Sequence, residues 1–453
     1  MVRGHTERNL DKDYYHMRLI SVSIGLMTAL FVASVESAGR DLFPLPDTLR
    51  PAVDFWTRVY TEVDSSAGYV HDNRNLNIVY ETVNFKPYSS PRRQERVIAA
   101  RIQRYRNALR ALAAGKREGL GEYEKKVMEL WGGSANSETL NTAANNLRFQ
   151  RGQSDRFRDG VIRSGAWETA ILDSLQKAGV PGALALLPHI ESSYNPSVRS
   201  PAGAVGLWQF TRTTGTKYLR VDHIVDERLE PLRSTEAAAA LLKHNYEALN
   251  SWPLAITAYN SGLSRVRRAV RETGTRDIGT IVREYRGKRF GFASRNFYAA
   301  FLAVANVAKS VESYFGVLNR NSPEEYHVAE MPAYLEARVL ADNLSIDQDV
   351  LKQLNPALQY SVWNGSKYIP KGYYLKLPPI ENGDDSGVLL ERIAAIKGYS
   401  KQIPDTFYTV KKGDTLSAIA QRYKISVKKL VALNNLRSRH RIRAGQSLRL
   451  PQA

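Results

Sequence analysis

The sequence predicts a mainly α-helical protein with small α+β modules at its C-terminal end. Three observations carry this. From about Gln153 to Val317 the apolar residues recur three and four apart, with no alternation long enough for a useful strand. Beyond Tyr334 the pattern changes to two similar segments, each ending in a glycine turn and a short Leu-x-Leu-Pro run. Hydrophobic residues make up 43% of a 453-residue chain, enough for two or three domains with their own cores.

The first element is an export signal over residues 1–38. Arg18 precedes the apolar run Leu19 to Val35, which ends in small residues at Ser37-Ala38, and Met17 is a candidate true start. Cleavage near Ser37 or Ala38 is expected. A retained anchor with peripheral membrane association is the alternative, because the run sits at the lower edge of a membrane span. The chain has no cysteine, which excludes lipid attachment at a lipobox, disulfides and thiolate metal sites. A periplasmic location fits both facts.

Residues 39–152 read as an N-terminal helical region without chemistry of its own. Asp41 to Ser89 has no clean period. A long helix is predicted over Arg92–Ala114, followed by helices over Gly121–Trp131 and Ser137–Asn146. Residues 153–320 read as a helical catalytic domain: Ile171–Ala178, then Gly182–Ile190, whose end delivers Glu191, then Thr235–Leu249, Pro253–Tyr259 and Asn296–Phe315.

Three clusters in this domain suggest chemistry. Glu191-Ser192 closes the apolar stretch Leu184 to Ile190, surroundings that disfavour the carboxylate and suit a general acid. The small-residue turn Ser200 to Gly206 leads into Leu207-Trp208-Gln209, where Gly203 and Gly206 imply positive φ or a close approach. Ala258-Tyr259-Asn260-Ser261-Gly262 forms the third.

The two C-terminal segments form an internal repeat. Residues 330–380 contain Leu340 to Leu344, Leu354-Asn355-Pro356 and Leu375 to Pro378. Residues 406–453 contain Tyr408 to Leu416, Leu433-Asn434-Asn435 and Leu448 to Pro451. An acidic, glycine-containing stretch opens a linker predicted over 381–405. The second copy reads as strand, helix, helix, strand.

The three clusters resemble the motifs of lytic transglycosylases of the soluble, lysozyme-like type, enzymes that cleave peptidoglycan glycan strands. The resemblance covers about residues 166–310. It implies a helical lysozyme-like domain with Glu191 as the single catalytic acid. Ser192 would place it, and Gln209 would hold the N-acetyl group or bond to backbone. Tyr259 would donate to Glu191 or floor the sugar site, and Asn260 would orient substrate or fix the turn. Tyr298, in Ser294 to Tyr298, resembles the late tyrosine that faces the glutamate, with a core role as the alternative. Trp208 stands where many relatives carry methionine and is similar to the branch with C-terminal LysM modules. Residues 407–451 resemble the LysM module, which implies glycan contacts at Gly413, Asp414, Thr415, Leu416, Asn435 and Leu436. Residues 330–380 then read as a degenerate LysM-like copy, because they lack the Gly-Asp-Thr-Leu opening.

Ordinary glycosidases need two carboxylates. The motif supplies one, which suffices if the substrate's own 2-acetamido oxygen attacks the anomeric carbon. That route, implied by the resemblance, ends in a 1,6-anhydro product and needs no cofactor. Lys plus Arg exceed Asp plus Glu by 64 to 45, which suits an anionic partner. No nucleic-acid motif accompanies the charge, and the scattered histidines form no metal constellation. The expected partner is the peptidoglycan glycan strand. Hydrolysis by a muramidase and a non-catalytic wall-binding scaffold are the competing readings.

Overall fold

The computed structural model describes residues 42–132, 135–379, 386–434, 436 and 442–450. The predicted signal, the start of the linker and Asn435 lie outside the described residues. Among them, no helix is long and apolar enough to cross a membrane. The backbone divides into two compact units. Of the described residues, one holds those from Leu42 to Tyr218 together with Pro231–Pro323; the other holds Leu219–Glu230 and those from Glu324 on.

The first unit begins with helix α1 (Arg50–Thr61). Pro51 occupies its first turn, where a missing N–H costs nothing, and the helix buries Val53, Phe55, Trp56, Val59 and Tyr60. Strands β1 (Ala67–Asp72), β2 (Val79–Asn84) and β3 (Leu147–Arg151) then form an antiparallel sheet in the order β2-β1-β3. This corrects the expectation of a helical region over 39–152. The strands are short, and the central one, β1, is buried at every position, so it shows no alternation to read. Helices α2 (Pro91–Ala113), α3 (Glu122–Trp131) and α4 (Ser137–Asn146) are where the periodicity predicts them. Their residues Tyr105, Leu109, Val127 and Leu140 share a core with Val70, Tyr80 and Val83 of the sheet.

The rest of this unit is helical, as expected. It comprises α5 (Ser154–Ser164), α6 (Glu168–Lys177), a 3-10 turn at Gly182–Leu186, α7 (Leu187–Glu191), α8 (Pro231–Leu249), α9 (Trp252–Ser261), α10 (Leu263–Thr273), α11 (Ile278–Glu284) and α12 (Phe292–Lys309). Helix α12 is buried almost all round from Asn296 to Val307, the signature of a central helix. It packs on α1, α7 and α9.

In the second unit β4 (His327–Glu330) pairs antiparallel with β5 (Tyr374–Leu377), with α13 (Ala337–Leu344) and α14 (Gln348–Leu354) between them. Helix α15 (Ser386–Ala395) follows. Then β6 (Thr406–Thr409) pairs with β7 (Ser447–Leu450) around α16 (Leu416–Arg422) and α17 (Val427–Leu433). Both modules are therefore βααβ. An asparagine closes each in the same way. Asn355 donates to the carbonyls of Leu351 and Lys376 and accepts from the Lys376 N–H. Asn434 donates to the carbonyls of Leu430 and Arg449 and accepts from the Arg449 N–H.

Two boundaries differ from expectation. Residues 219–230 were expected inside the catalytic domain, yet Ile224 and Val225 are buried in the core of the first βααβ module, with a bridge from Val225 to Leu358. Their apolar partners lie far away in sequence, so proximity along the chain misassigns them. The expected linker contains α15, whose Leu389 and Ile393 are buried in the same core.

Candidate active site

The 3-10 turn and α7 form an apolar plug in which Leu184, Ala185, Leu186, Leu187 and Pro188 are all buried. Glu191 is the last residue of this plug and is half-buried. Burial pushes its carboxyl up to about 8, and no charged neighbour contributes to the shift.

The chain leaves Glu191 through two consecutive left-handed residues, Ser193 (φ 50°) and Tyr194 (φ 54°). Non-glycine residues hold that conformation only when their surroundings impose it. Here Arg163 donates two hydrogen bonds to the Ser193 carbonyl, at 3.1 and 2.8 Å. The Tyr194 hydroxyl donates to the Ala185 carbonyl at 2.6 Å, and its ring packs on His189. Ser192 reaches the other way: its hydroxyl donates to the Leu207 carbonyl at 2.7 Å and to the Pro188 carbonyl at 3.2 Å. The expected placing role of Ser192 thus has a geometric basis.

The facing loop is equally constrained. Gly203 (φ 79°) and Gly206 (φ 82°) both take positive φ, and a Cβ on Gly203 would meet open space. At Gly203 the backbone conformation, rather than crowding, demands glycine. Gln209 (φ 49°) is a third left-handed non-glycine residue, and its amide nitrogen donates to the carbonyls of Gly206 and Val198. The amide nitrogen therefore takes the backbone alternative.

Tyr259 is half-buried and donates to the Trp208 carbonyl at 2.7 Å. It spends its proton there and not on Glu191. Trp208 is fully buried and donates from Nε1 to the Thr235 hydroxyl, so it is core and not a sugar platform. Asn260 is exposed and accepts from the buried Ser294 hydroxyl at 3.3 Å. Tyr298 does not face the glutamate: it is buried, and its hydroxyl donates to the Pro44 carbonyl at 2.7 Å. Its apolar setting, the alternative reading, prevails because α12 is central.

The tyrosine that accompanies Glu191 from outside the motifs is Tyr60 on α1. Burial, and then the charge of Glu191, push the hydroxyls of both Tyr60 and Tyr259 well up. The Tyr60 side chain is buried, and its hydroxyl makes no hydrogen bond among the described residues. Sequence reasoning missed it by treating 39–152 as a support. The available signal was the aromatic face Phe55, Trp56 and Tyr60 behind an Arg-Pro helix start.

In the C-terminal module most of the expected glycan contacts already have structural partners. Asp414 accepts from the Tyr408 hydroxyl and the Lys411 N–H, and Thr415 caps α16 by accepting from the Ala418 N–H. Leu416 is buried in the module core, and Leu436 packs against it. Gly413 is exposed in the turn between β6 and α16.

Residues 169–282 match the family described as the Transglycosylase SLT domain, and residues 408–451 match the LysM domain. Membrane-bound lytic murein transglycosylase D of Escherichia coli (strain K12) is 28% identical over 301 residues, 64% of this chain and 65% of that protein. The alignment therefore spans just under two thirds of the relative's length. Soluble lytic murein transglycosylase of Salmonella typhimurium is 37% identical over 83 residues, 17% of this chain and 13% of that protein. The solved 70 kDa soluble lytic transglycosylase of Escherichia coli aligns over 64% of this chain and 58% of that chain at 13% identity, with a TM-score of 0.28, too low to carry an argument. With Glu191, Gln209 and Tyr259 all inside the first matched span, the chain carries a transglycosylase SLT domain and a C-terminal LysM domain and is homologous to membrane-bound lytic murein transglycosylase D.

Proposed function

We propose that the chain is an exported peptidoglycan lytic transglycosylase, active in the cell envelope. It would cut the β-1,4 bond between N-acetylmuramic acid and N-acetylglucosamine. The observation that carries this reading is a glutamate held protonated near neutral pH by an apolar plug. Glu191 gives its proton to the glycosidic oxygen as the acetamido oxygen of N-acetylmuramic acid attacks C1 and the bond to the leaving sugar breaks. The ionised Glu191 then takes the proton of the C6 hydroxyl. O6 attacks C1 and displaces the acetamido oxygen, which closes the 1,6-anhydro ring without water.

In this scheme Ser192 is a positioning residue that locks the glutamate to the facing loop. Gln209 accepts from the substrate N-acetyl N–H through its carbonyl end. Tyr259 fixes the loop through Trp208, and Tyr60 offers its hydroxyl beside the reacting carboxyl. Asn260 orients substrate at the exposed end of α9. The C-terminal module docks the enzyme on glycan through the turn that starts at Gly413, and the product's fate is cell-wall remodelling.

Mass spectrometry of muropeptides released from purified sacculi tests this directly. Products lighter by one water and resistant to borohydride reduction are expected. Reducible products would make the protein a muramidase, and sedimentation on sacculi without any products would make it a binding scaffold.

A further inference from the structure

Four arginines gather beside the site, and among the described residues none of them is in a salt bridge. Arg74 lies in the loop between β1 and β2, Arg148 on β3, Arg286 in the loop after α11, and Arg295 in the first turns of α12. Arg295 is half-buried and the other three are exposed. The Arg295 guanidinium donates to the Asn73 side-chain oxygen and to the Phe290 carbonyl, both at 3.3 Å. The Arg148 guanidinium lies 4.3 Å from the Phe292 ring centroid.

Among the described residues none of the four pairs with an acid, in contrast to Arg58 with Glu62 or Arg268 with Glu272. Asp72, the carboxylate that acts on Arg74, is buried, and its Oδ1 accepts the N–H groups of Arg74 and Asn75. Burial, and then the charges of Arg74, Arg286 and Arg148, hold Arg295 down to about 10. Like charges that act on one another oppose the folded state, and a clustered positive field draws anions. Guanidinium forks match carboxylates two bonds at a time.

The cluster is continuous with the proposed site. Ser294, next to Arg295, bonds Asn260, which adjoins Tyr259. On the other side the Trp56 ring lies 5.7 Å from Tyr60 and 6.1 Å from Phe292. The buried Nε1 of Trp56 has no hydrogen-bond partner among the described residues. A polar donor and four cations thus border the Glu191 neighbourhood.

We propose that Arg74, Arg148, Arg286 and Arg295 form a subsite for the free carboxylates of the peptide stems carried by N-acetylmuramic acid. The inference rests on the proposed peptidoglycan substrate, whose sugars are largely uncharged. The anions tethered to such a substrate within reach of the cleavage point are those of its stems. The subsite would make peptide-bearing strands better substrates than bare glycan.

The test uses the full chain and an R74Q/R148Q/R286Q variant, which leaves the half-buried Arg295 in place. Turnover is measured on glycan strands with stems and on strands stripped of stems by an amidase. In parallel, binding of a soluble disaccharide-tetrapeptide and of the peptide-free disaccharide is measured by calorimetry in the E191Q background. Wild type should favour the peptide-bearing form by about tenfold in both assays, and the variant should lose that preference. Its melting temperature should stay level or rise, because repulsion has been relieved. A preference that survives in the variant, or equal losses on both forms, would overturn the subsite. So would binding of anionic phosphatidylglycerol vesicles in place of the tetrapeptide, which would make the cluster a lipid contact. If wild type cleaves neither strand yet binds the tetrapeptide in an arginine-dependent way, the subsite stands and the transglycosylase reading fails.

Discussion

The hydroxyl of Ser192 donates to the carbonyl of Leu207, 15 residues on, at 2.7 Å. This single bond fastens the residue after the glutamate to the loop that carries Gln209. Ser192→Ala leaves the buried Leu207 carbonyl without its hydroxyl donor, while the Pro188 carbonyl keeps the N–H groups of residues 192 and 194, and the loss costs about 1–3 kcal/mol. The expected readout is a kcat lowered by about tenfold with KM little changed, since the acid and not the sugar contacts is displaced. A thermal melt lowered without any change in kcat would assign Ser192 to stability alone.

Glu191→Gln should abolish cleavage and retain sacculus binding. Its effect on stability carries a sign. Burial raises the Glu191 carboxyl from 4.5 to about 8, so the folded protein holds a proton that the unfolded chain gives up. Wild-type stability should fall as pH rises from about 4.5 to about 8, while the amide, which cannot ionise, escapes that loss. Melting temperatures of the two proteins should converge at low pH and separate above neutrality in favour of Glu191→Gln. A constant difference across that range would mean that the carboxyl is solvated.

Tyr60 and Tyr298 separate a residue beside the acid from one that braces the fold. Tyr60→Phe removes a hydroxyl with no hydrogen bond among the described residues, so the melting temperature should hold while kcat drops by about tenfold. Tyr298→Phe removes the bond to Pro44 and should cost about 1 kcal/mol with kcat intact. The reverse pattern would return the tyrosine role to α12.

Deleting residues 407–453 should weaken sacculus binding more than turnover of soluble glycan. Equal losses in co-sedimentation and turnover would show that the module supports the catalytic fold.

Asn434→Ala should unfold the C-terminal module at a lower temperature, as should Asn355→Ala for the first, by about 1–3 kcal/mol each. Proteolysis confined to the affected module would report it. Resistance equal to wild type would show that the β-pairing alone holds these modules.

Much of this was legible in the residues. The helices around Glu191 follow from period, and Ser192, Gln209 and Tyr259 stand within one neighbourhood because short local motifs encode tight turns. What escaped is non-local. Tyr60 meets the glutamate across more than a hundred residues of chain, and nothing in either segment announces the other. The resemblance aims Tyr298 at the glutamate and the Gln209 amide at the N-acetyl group, but backbone carbonyls take the Tyr298 hydroxyl and the Gln209 amide nitrogen. The sheet escaped because its central strand is buried throughout, and Ile224-Val225 escaped because its partners lie beyond residue 324. The paired asparagines show the converse. The Leu-Asn repeats that suggested two copies are the residues that close each module.

The hold of α1 on the site bears on how such a protein can be rearranged. The span matched by the transglycosylase SLT domain, 169–282, excludes both Tyr60 and Pro44. A recombination event that moved only that span into another host would deliver the glutamate without one wall of its chamber and without the clasp on its central helix. The matched domain is smaller than the piece that must travel together. Shuffling should therefore succeed at the last βααβ module far more often than at residue 152.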